Sequence, residues 1–211
     1  MSKSHKIKFY IYVKNALDFI IALIGFIFLI PCFLLVKIAY MLTGDFKSII
    51  YVQERIGYRG KKFNMYKFRS MGPNADDELK QLLKQRKYKK QWDLNHKLDD
   101  DPRITKIGKF LRKSSLDEIP QVINMLKGDM SLIGPRPLVD GELDAHNGNH
   151  KVYESVKPGL TGWWASHGRS SVDYNKRLRL EYYYAKNISF KLDIMCFIKT
   201  IKVVLTGKGA N

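Results

Sequence analysis

A chain of 211 residues, 45% hydrophobic and 12% aromatic, has apolar material for one sizeable core, which excludes a disordered or low-complexity protein. Lysine and arginine number 37 against 20 acidic residues, a formal net charge of +17, so the partner is a polyanion, an anionic membrane surface or a phosphorylated small molecule. Cys32 and Cys196 lie in apolar stretches without metal-ligand spacing, which excludes a disulfide framework and suits a reducing compartment.

From Ala16 to Met41 the chain is apolar except for Asp18 and Lys37. As a straight helix this stretch would measure about 39 Å, against a bilayer core of about 30 Å. It is too long for a signal-peptide core, and its Leu42-Thr43-Gly44-Asp45 exit is a poor cleavage site. Pro31, near the middle, removes a helical hydrogen bond at a cost of about 3 kcal/mol and predicts a break in the membrane helix. Basic residues stand on both sides, Lys3, Lys6, Lys8 and Lys14 before it and Lys37 and Lys47 after, and the positive-inside bias holds both flanks on the cytoplasmic face. Two half-helices of about 20 Å hinged at Pro31, entering and leaving by one face, satisfy that bias. A proline-kinked spanning helix is the competing reading. Residues 1–42 are therefore read as an N-terminal arm with a re-entrant membrane helix, and 43–211 as a cytosolic domain.

The β-prone runs Ile49–Val52 and Phe63–Phe68, separated by Gly57 and Gly60, predict a hairpin. Lys80–Lys97 is charge-rich and reads as a solvated helix or loop. Ile104, Ile107 and Leu111 recur at helical spacing among Arg103, Lys106, Lys109, Arg112 and Lys113. This is a basic amphipathic helix, which lies on anionic headgroups or packs its apolar stripe into the core.

That helix leads to Asp117 and Glu118, an acidic pair in basic surroundings. With Ser115 they fit a capping box, while as adjacent carboxylates they suit chemistry on an anion. Pro120 cannot donate to the Leu116 carbonyl, so the turn carrying the pair is expected to be irregular. A helix is predicted from about Pro120 to Leu126, stopped by Gly128. In the next turn Arg136 lies between Pro135 and Pro137, where a fixed backbone suits it to clamp a phosphate. Lys157-Pro158-Gly159-Leu160-Thr161-Gly162 is a loop that either approaches a ligand or turns tightly. His167 reads as an exposed loop histidine. A helix bearing Tyr182, Tyr183 and Tyr184 follows Asp173, and an apolar helix interrupted by charges runs from about Ser189 to Leu205. The latter closes the core or lies at the membrane interface, with the tyrosines as an aromatic belt.

Several of these segments, in this order, resemble the bacterial sugar transferases that act as monotopic phosphoglycosyl transferases on polyprenyl phosphate. They are Tyr51–Gly57, Lys67–Met71, Asp101–Thr105, Leu111–Gln121, Gly128–Pro137 and Lys157–Gly162. The resemblance implies an α+β, mainly helical protein with a re-entrant membrane hairpin, a small β-hairpin and interfacial amphipathic helices. It implies a bacterial cytoplasmic-membrane enzyme, its catalytic domain on the cytosolic face, that begins capsule, exopolysaccharide, O-antigen or glycoprotein glycan synthesis. Asp117 would attack the β-phosphate of a UDP-sugar, release UMP and pass the phosphosugar to undecaprenyl phosphate. By matching positions, Glu118 would be a metal ligand or acid–base partner, and Arg112, Arg136 and Arg169 phosphate contacts. Pro135, Pro137, Lys67 and Arg69 would support the pocket. Mg2+ would be held by Asp117 and Glu118, which suits hard oxygen ligands. UDP-sugar, polyprenyl phosphate and bilayer phospholipids are the implied partners, no nucleic acid is expected, and a homo-oligomer is left open.

The chain departs from the family pattern where Asn15 follows Lys14, at a usual Lys-Arg pair, and where Ala165-Ser166-His167 stands before Gly168-Arg169. The second change bears on sugar identity. The additional membrane helices of long members are absent, which implies the short catalytic form. A nucleic-acid binder finds no reader motif here and leaves the acidic pair without a job. A lipid-binding scaffold predicts liposome binding without a nucleotide product. A phosphohydrolase would leave the membrane segment without a purpose.

Overall fold

The computed structural model describes residues 3–95, 98, 100–167 and 172–206. Helix α1 (Lys3–Leu42) buries one stripe, Lys14, Asp18, Ala22, Leu29, Val36 and Tyr40. Spacings of four and seven residues keep these on one face. Around the rest of the helix Phe19, Ile20, Ile27, Phe28, Leu34 and Leu35 are exposed, which is the surface of a helix surrounded by lipid rather than water. The expected break at Pro31 does not interrupt it: Pro31 lies inside one continuous helix, not between two half-helices. Leu29 and Val36, on either side of the proline, enter the same core cluster, so packing holds the helix across the missing hydrogen bond.

Strands β1 (Ile50–Ile56) and β2 (Lys62–Phe68) form the predicted hairpin, antiparallel with Tyr51 opposite Lys67 and Arg55 opposite Phe63. The charged stretch becomes α2 (Ala75–Leu82) and α3 (Arg86–Asn95). The basic amphipathic segment is α4 (Lys106–Lys113), which buries Leu111 and leaves Phe110 exposed. Next come a 3-10 segment (Leu116–Gln121) and α5 (Val122–Leu126). Gly128 takes a left-handed φ of 77° after the helix, at the stop expected for it.

Sequence reading missed a parallel pair, β3 (Ser131–Ile133) with β4 (Gly159–Thr161). A Cβ at Gly159 would lie 2.0 Å from the Gly134 nitrogen. The Gly-rich stretch therefore serves backbone-to-backbone approach within the fold. Between the two strands lies the short α6 (His150–Tyr153).

Helix α7 (Tyr174–Lys186) starts on an Asp173 cap, and α8 (Phe190–Thr206) follows. The tyrosines do not form a belt. Tyr184 is fully buried and donates to the Ile133 carbonyl at 3.0 Å and to Asp193 at 2.6 Å, and Tyr182 packs on the core; only Tyr183 is exposed. A hydroxyl at that depth needs protein partners, and β3 and α8 supply them. Helix α8 closes the core, the first of the two alternatives, burying Leu192 and Cys196, and it leaves Phe190, Phe197 and Ile198 exposed.

The arm and the following domain share their cores. Leu29, Val36 and Tyr40 pack with Ile49, Phe68, Leu111 and Val122, and Ala22 packs with Phe63, Met65, Met125 and Met130. Lys14 meets Asp193 at 2.5 Å, and Asp18 accepts from the Ser131 hydroxyl at 2.6 Å and the Leu132 amide at 3.0 Å. These buried charges need such partners, and they tie the start of α1 to α8 and β3.

Candidate active site

Two contacts position the acidic pair. Thr105 caps α4 by accepting from the Gly108 amide at 2.9 Å. The α4 backbone then lies so close to the end of β2 that a Cβ on Gly108 would be 1.8 Å from the Ser70 carbonyl oxygen. On the other side Asn124, fully buried, uses its side-chain amide as an extra strand residue. It donates to the Asn64 carbonyl at 2.7 Å and accepts from the Tyr66 amide at 3.0 Å. The 3-10 segment between α4 and α5 is thereby fixed against β2.

The expected capping box does not form. Ser115 adopts the left-handed conformation, φ 57°, and its side chain makes no cap bond; its carbonyl accepts from the Glu118 amide at 3.3 Å. The irregular turn expected around Pro120 is present as the 3-10 segment. It frees the Glu118 carboxylate to meet the Lys67 ammonium at 3.0 Å. Asp117 has no ion-pair partner among the described residues. Burial pushes its carboxyl above the usual aspartate range and the Glu118 charge adds to the push, while Lys67 and Arg112 pull the other way. Arg112 is itself anchored, its Nε donating to the Ser70 hydroxyl at 2.9 Å. The site thus holds one carboxylate fixed by a lysine and one without an ion-pair partner, acted on by the Glu118 charge on one side and by Lys67 and Arg112 on the other.

The structure brings Lys67 and Arg112 to the acidic pair. It places Arg136 in a different charged group. The Arg136 amide donates to Glu181 at 3.1 Å, its carbonyl accepts from the Tyr153 hydroxyl at 2.9 Å, and its exposed guanidinium lies 5.9 Å from the Trp164 ring. Pro135 and Pro137 are buried on either side of it. Arg69 is engaged elsewhere, pairing with Asp45 at 2.7 Å and stacking on Tyr40 at 4.7 Å, so it braces the chain after α1. Arg169 lies outside the described residues. His167 is held between the Trp163 carbonyl at 2.7 Å and Lys199 at 2.6 Å, so it is partnered and not merely exposed. Asn124, Arg55, Arg177 and Glu181 escaped sequence reading. Arg55 lies inside a matched segment, but nothing in its spacing linked it to α7.

A cavity of about 280 Å³ opens at the far end of the hairpin, against Ile56, Gly57, Lys62, Leu138 and Tyr153. Lys62 is five strand positions from Lys67, about 17 Å, so this cavity is separate from the acidic pair.

With that geometry in place, one family model and three relatives bear on what the site does. The family model for bacterial sugar transferases matches residues 9–207. The chain is 42% identical over 200 residues to an undecaprenyl-phosphate galactose phosphotransferase of Salmonella typhimurium, covering 94% of this chain and 42% of the relative. It is 39% identical over 198 residues to the exopolysaccharide production protein ExoY of Sinorhizobium fredii, covering 93% of this chain and 87% of that one. It is 34% identical over 208 residues to a UDP-N-acetylgalactosamine-undecaprenyl-phosphate N-acetylgalactosaminephosphotransferase of Aeromonas hydrophila, covering 96% and 46%. The chain spans less than half the length of the Salmonella and Aeromonas proteins.

Proposed function

The chain belongs to the bacterial sugar transferase family, and from that premise we propose that it transfers a sugar-1-phosphate from a UDP-sugar to undecaprenyl phosphate, releasing UMP. The observation that carries this reading is the half-buried Asp117 carboxylate, without an ion pair among the described residues, beside a Glu118 already held by Lys67. In the first step an Asp117 oxygen attacks the β-phosphorus. The bond from that phosphorus to the bridging oxygen breaks, and UMP leaves with the electron pair. In the second, a polyprenyl phosphate oxygen attacks the same phosphorus and the Asp117 carboxylate departs. One difficult transfer becomes two easier ones. Lys67 and Arg112 place positive charge where the phosphoryl oxygens gather it, which is the main task of a phosphoryl-transfer site.

Two like-charged neighbouring carboxylates suit a hard divalent cation, and Mg2+ keeps waters and substrate phosphates among its six ligands, so it can be held by as few as two protein carboxylates. Asp117 and Glu118 would hold the ion, and bound there it would neutralise diphosphate charge.

The placement of α1 supports a one-sided membrane attachment. Asp18 near its start and Tyr40 near its end both bond the same domain, Tyr40 donating to the Arg69 carbonyl at 2.5 Å. The helix rises about 33 Å between them, the thickness of a bilayer core. A perpendicular crossing would draw the domain itself into the hydrocarbon. The catalytic domain therefore rests on one face, read as cytosolic from the flanking lysines.

The test is incubation of the purified protein with Mg2+, polyprenyl phosphate and a panel of UDP-sugars, following UMP and labelled lipid. UMP release with at least one sugar and its loss in Asp117→Asn are expected. No UMP with any sugar, or undiminished turnover in the variant, overturns the reading.

A further inference from the structure

Two guanidinium groups lie against Trp164, and a third belongs to the same charged group. Arg177 lies 4.9 Å from the ring and Arg136 5.9 Å from it, and Arg55 joins them through its 3.4 Å bond to the Pro137 carbonyl. Among the described residues, four buried donors in this group have no hydrogen-bond partner: Arg55 Nε, Arg177 Nε, Arg177 Nη2 and Trp164 Nε1. Arg55 is only 8% exposed.

The carboxylates present do not satisfy these donors. Glu142 lies 3.4 Å from Arg177 and 4.0 Å from Arg55 without closing a hydrogen bond to either. Its oxygens accept instead from the Val139 amide at 3.1 Å and the Tyr174 hydroxyl at 3.3 Å. Glu181 spends one oxygen on the Arg136 amide, and its other, Oε2, is buried without a hydrogen-bond partner among the described residues, so it satisfies none of these donors. Three permanent cations thus face two carboxylates, and burial pushes one of these, Glu181, up to about 7. Arg55 is brought down to about 10, chiefly by burial and then by the Arg136 charge. Unmade hydrogen bonds and crowded like charges at this depth are costly, and an oxyanion would relieve both.

We propose that Arg55, Arg177 and the Trp164 indole, with Arg136 at the mouth, form a binding site for a phosphate-class oxyanion. Its place in the fold suits the transfer reaction, on which the assignment rests. Tyr51, Gln53 and Arg55 share one face of the hairpin with Lys67. Arg55 is four positions along β1 from Tyr51, about 13 Å, and it donates to Gln53, between the two, at 2.7 Å. The site therefore takes a phosphate of the nucleotide or of the lipid some distance along the hairpin from the group being transferred.

The test measures binding rather than turnover, with the full chain in lipid nanodiscs and Mg2+ present. UMP, uridine, inorganic phosphate and farnesyl phosphate are titrated by calorimetry into the wild type, Arg55→Gln and Trp164→Phe. UMP and inorganic phosphate should compete for one site and uridine should bind far more weakly. Arg55→Gln should weaken UMP binding on the order of ten- to a hundredfold, the range of a hydrogen bond to a charged group. Trp164→Phe, which keeps an aromatic ring and removes one N–H, should weaken it several-fold, and it decides the matter where Arg55→Gln fails to fold. Competition by farnesyl phosphate identifies the lipid as the source, and its failure to compete identifies the nucleotide. Wild type that binds neither phosphate nor UMP, or folded variants that bind them unchanged, overturns the site. Transfer without any effect of these variants removes the site and leaves the transferase reading; lost phosphate binding in a protein that never releases UMP does the reverse.

Discussion

Ser115 separates the two readings of the acidic pair. Its left-handed φ of 57° turns the chain so that Glu118 leaves the helix start and reaches Lys67. Asp117 is then the half-buried partner without an ion pair among the described residues, and its stability consequence has a definite sign. Its folded-state pKa is raised above 3.8, chiefly by burial and then by Glu118, so the folded protein holds the proton to higher pH than the unfolded chain. The resulting stability is complete below 3.8 and is lost as pH rises through the folded value. At neutral pH the ionised Asp117 is therefore a standing destabilisation. Asp117→Asn should raise the unfolding midpoint at pH 7 in EDTA by a few °C, on the order expected for a chain of this size. The gain should fade as pH drops below 4, and Mg2+ should narrow it by stabilising the wild type more. Thermal unfolding across pH 4–8, with and without Mg2+, checks this; a variant less stable than wild type at neutral pH would contradict the assigned burial.

At the scale of elements, the site depends on how closely α4 and α5 lie against β2. Gly108 allows the α4 backbone to meet the Ser70 carbonyl, and Arg112 one turn later reaches the Ser70 hydroxyl. Gly108→Ala forces that helix away. It should cost more than about 2 kcal/mol of stability, as overpacking at rigid backbone does, and lower turnover by displacing Arg112. Urea unfolding and UMP release measure the two effects, and an unchanged unfolding midpoint would show that α4 is free to move.

The hairpin, the basic helix and the helix after Pro120 were legible because their signals are local: alternation, helical spacing, and glycine or proline at the ends. The β3–β4 pair was not, since each strand has three residues and exists only through its partner in a distant loop. Asn124 was hidden for the same reason. Nothing near it in sequence shows that its amide completes the edge of β2.

For the whole molecule, the question is how a 40-residue apolar helix coexists with a basic domain packed along it. Shared cores at Ala22, Leu29, Val36 and Tyr40 make the two inseparable, so the arm cannot cross the bilayer independently of the domain. Cysteine labelling in intact cells tests this. With Cys32 and Cys196 replaced, His5→Cys and Lys47→Cys should both be shielded from a membrane-impermeant thiol reagent and both react after lysis. Opposite accessibility would require a spanning helix.

The sequence by itself determined the family, the long apolar N-terminal helix and the acidic pair as a candidate site, because those rest on neighbouring residues, a long apolar run and ordered local motifs. Tertiary structure alone decided which carboxylate Lys67 holds, that Pro31 does not break α1, and that Arg136 and Arg177 meet at Trp164 with Arg55 and Arg177 both facing Glu142. Each of those outcomes depends on which distant groups are brought within hydrogen-bond reach and shielded from water, and chain spacing does not encode that directly.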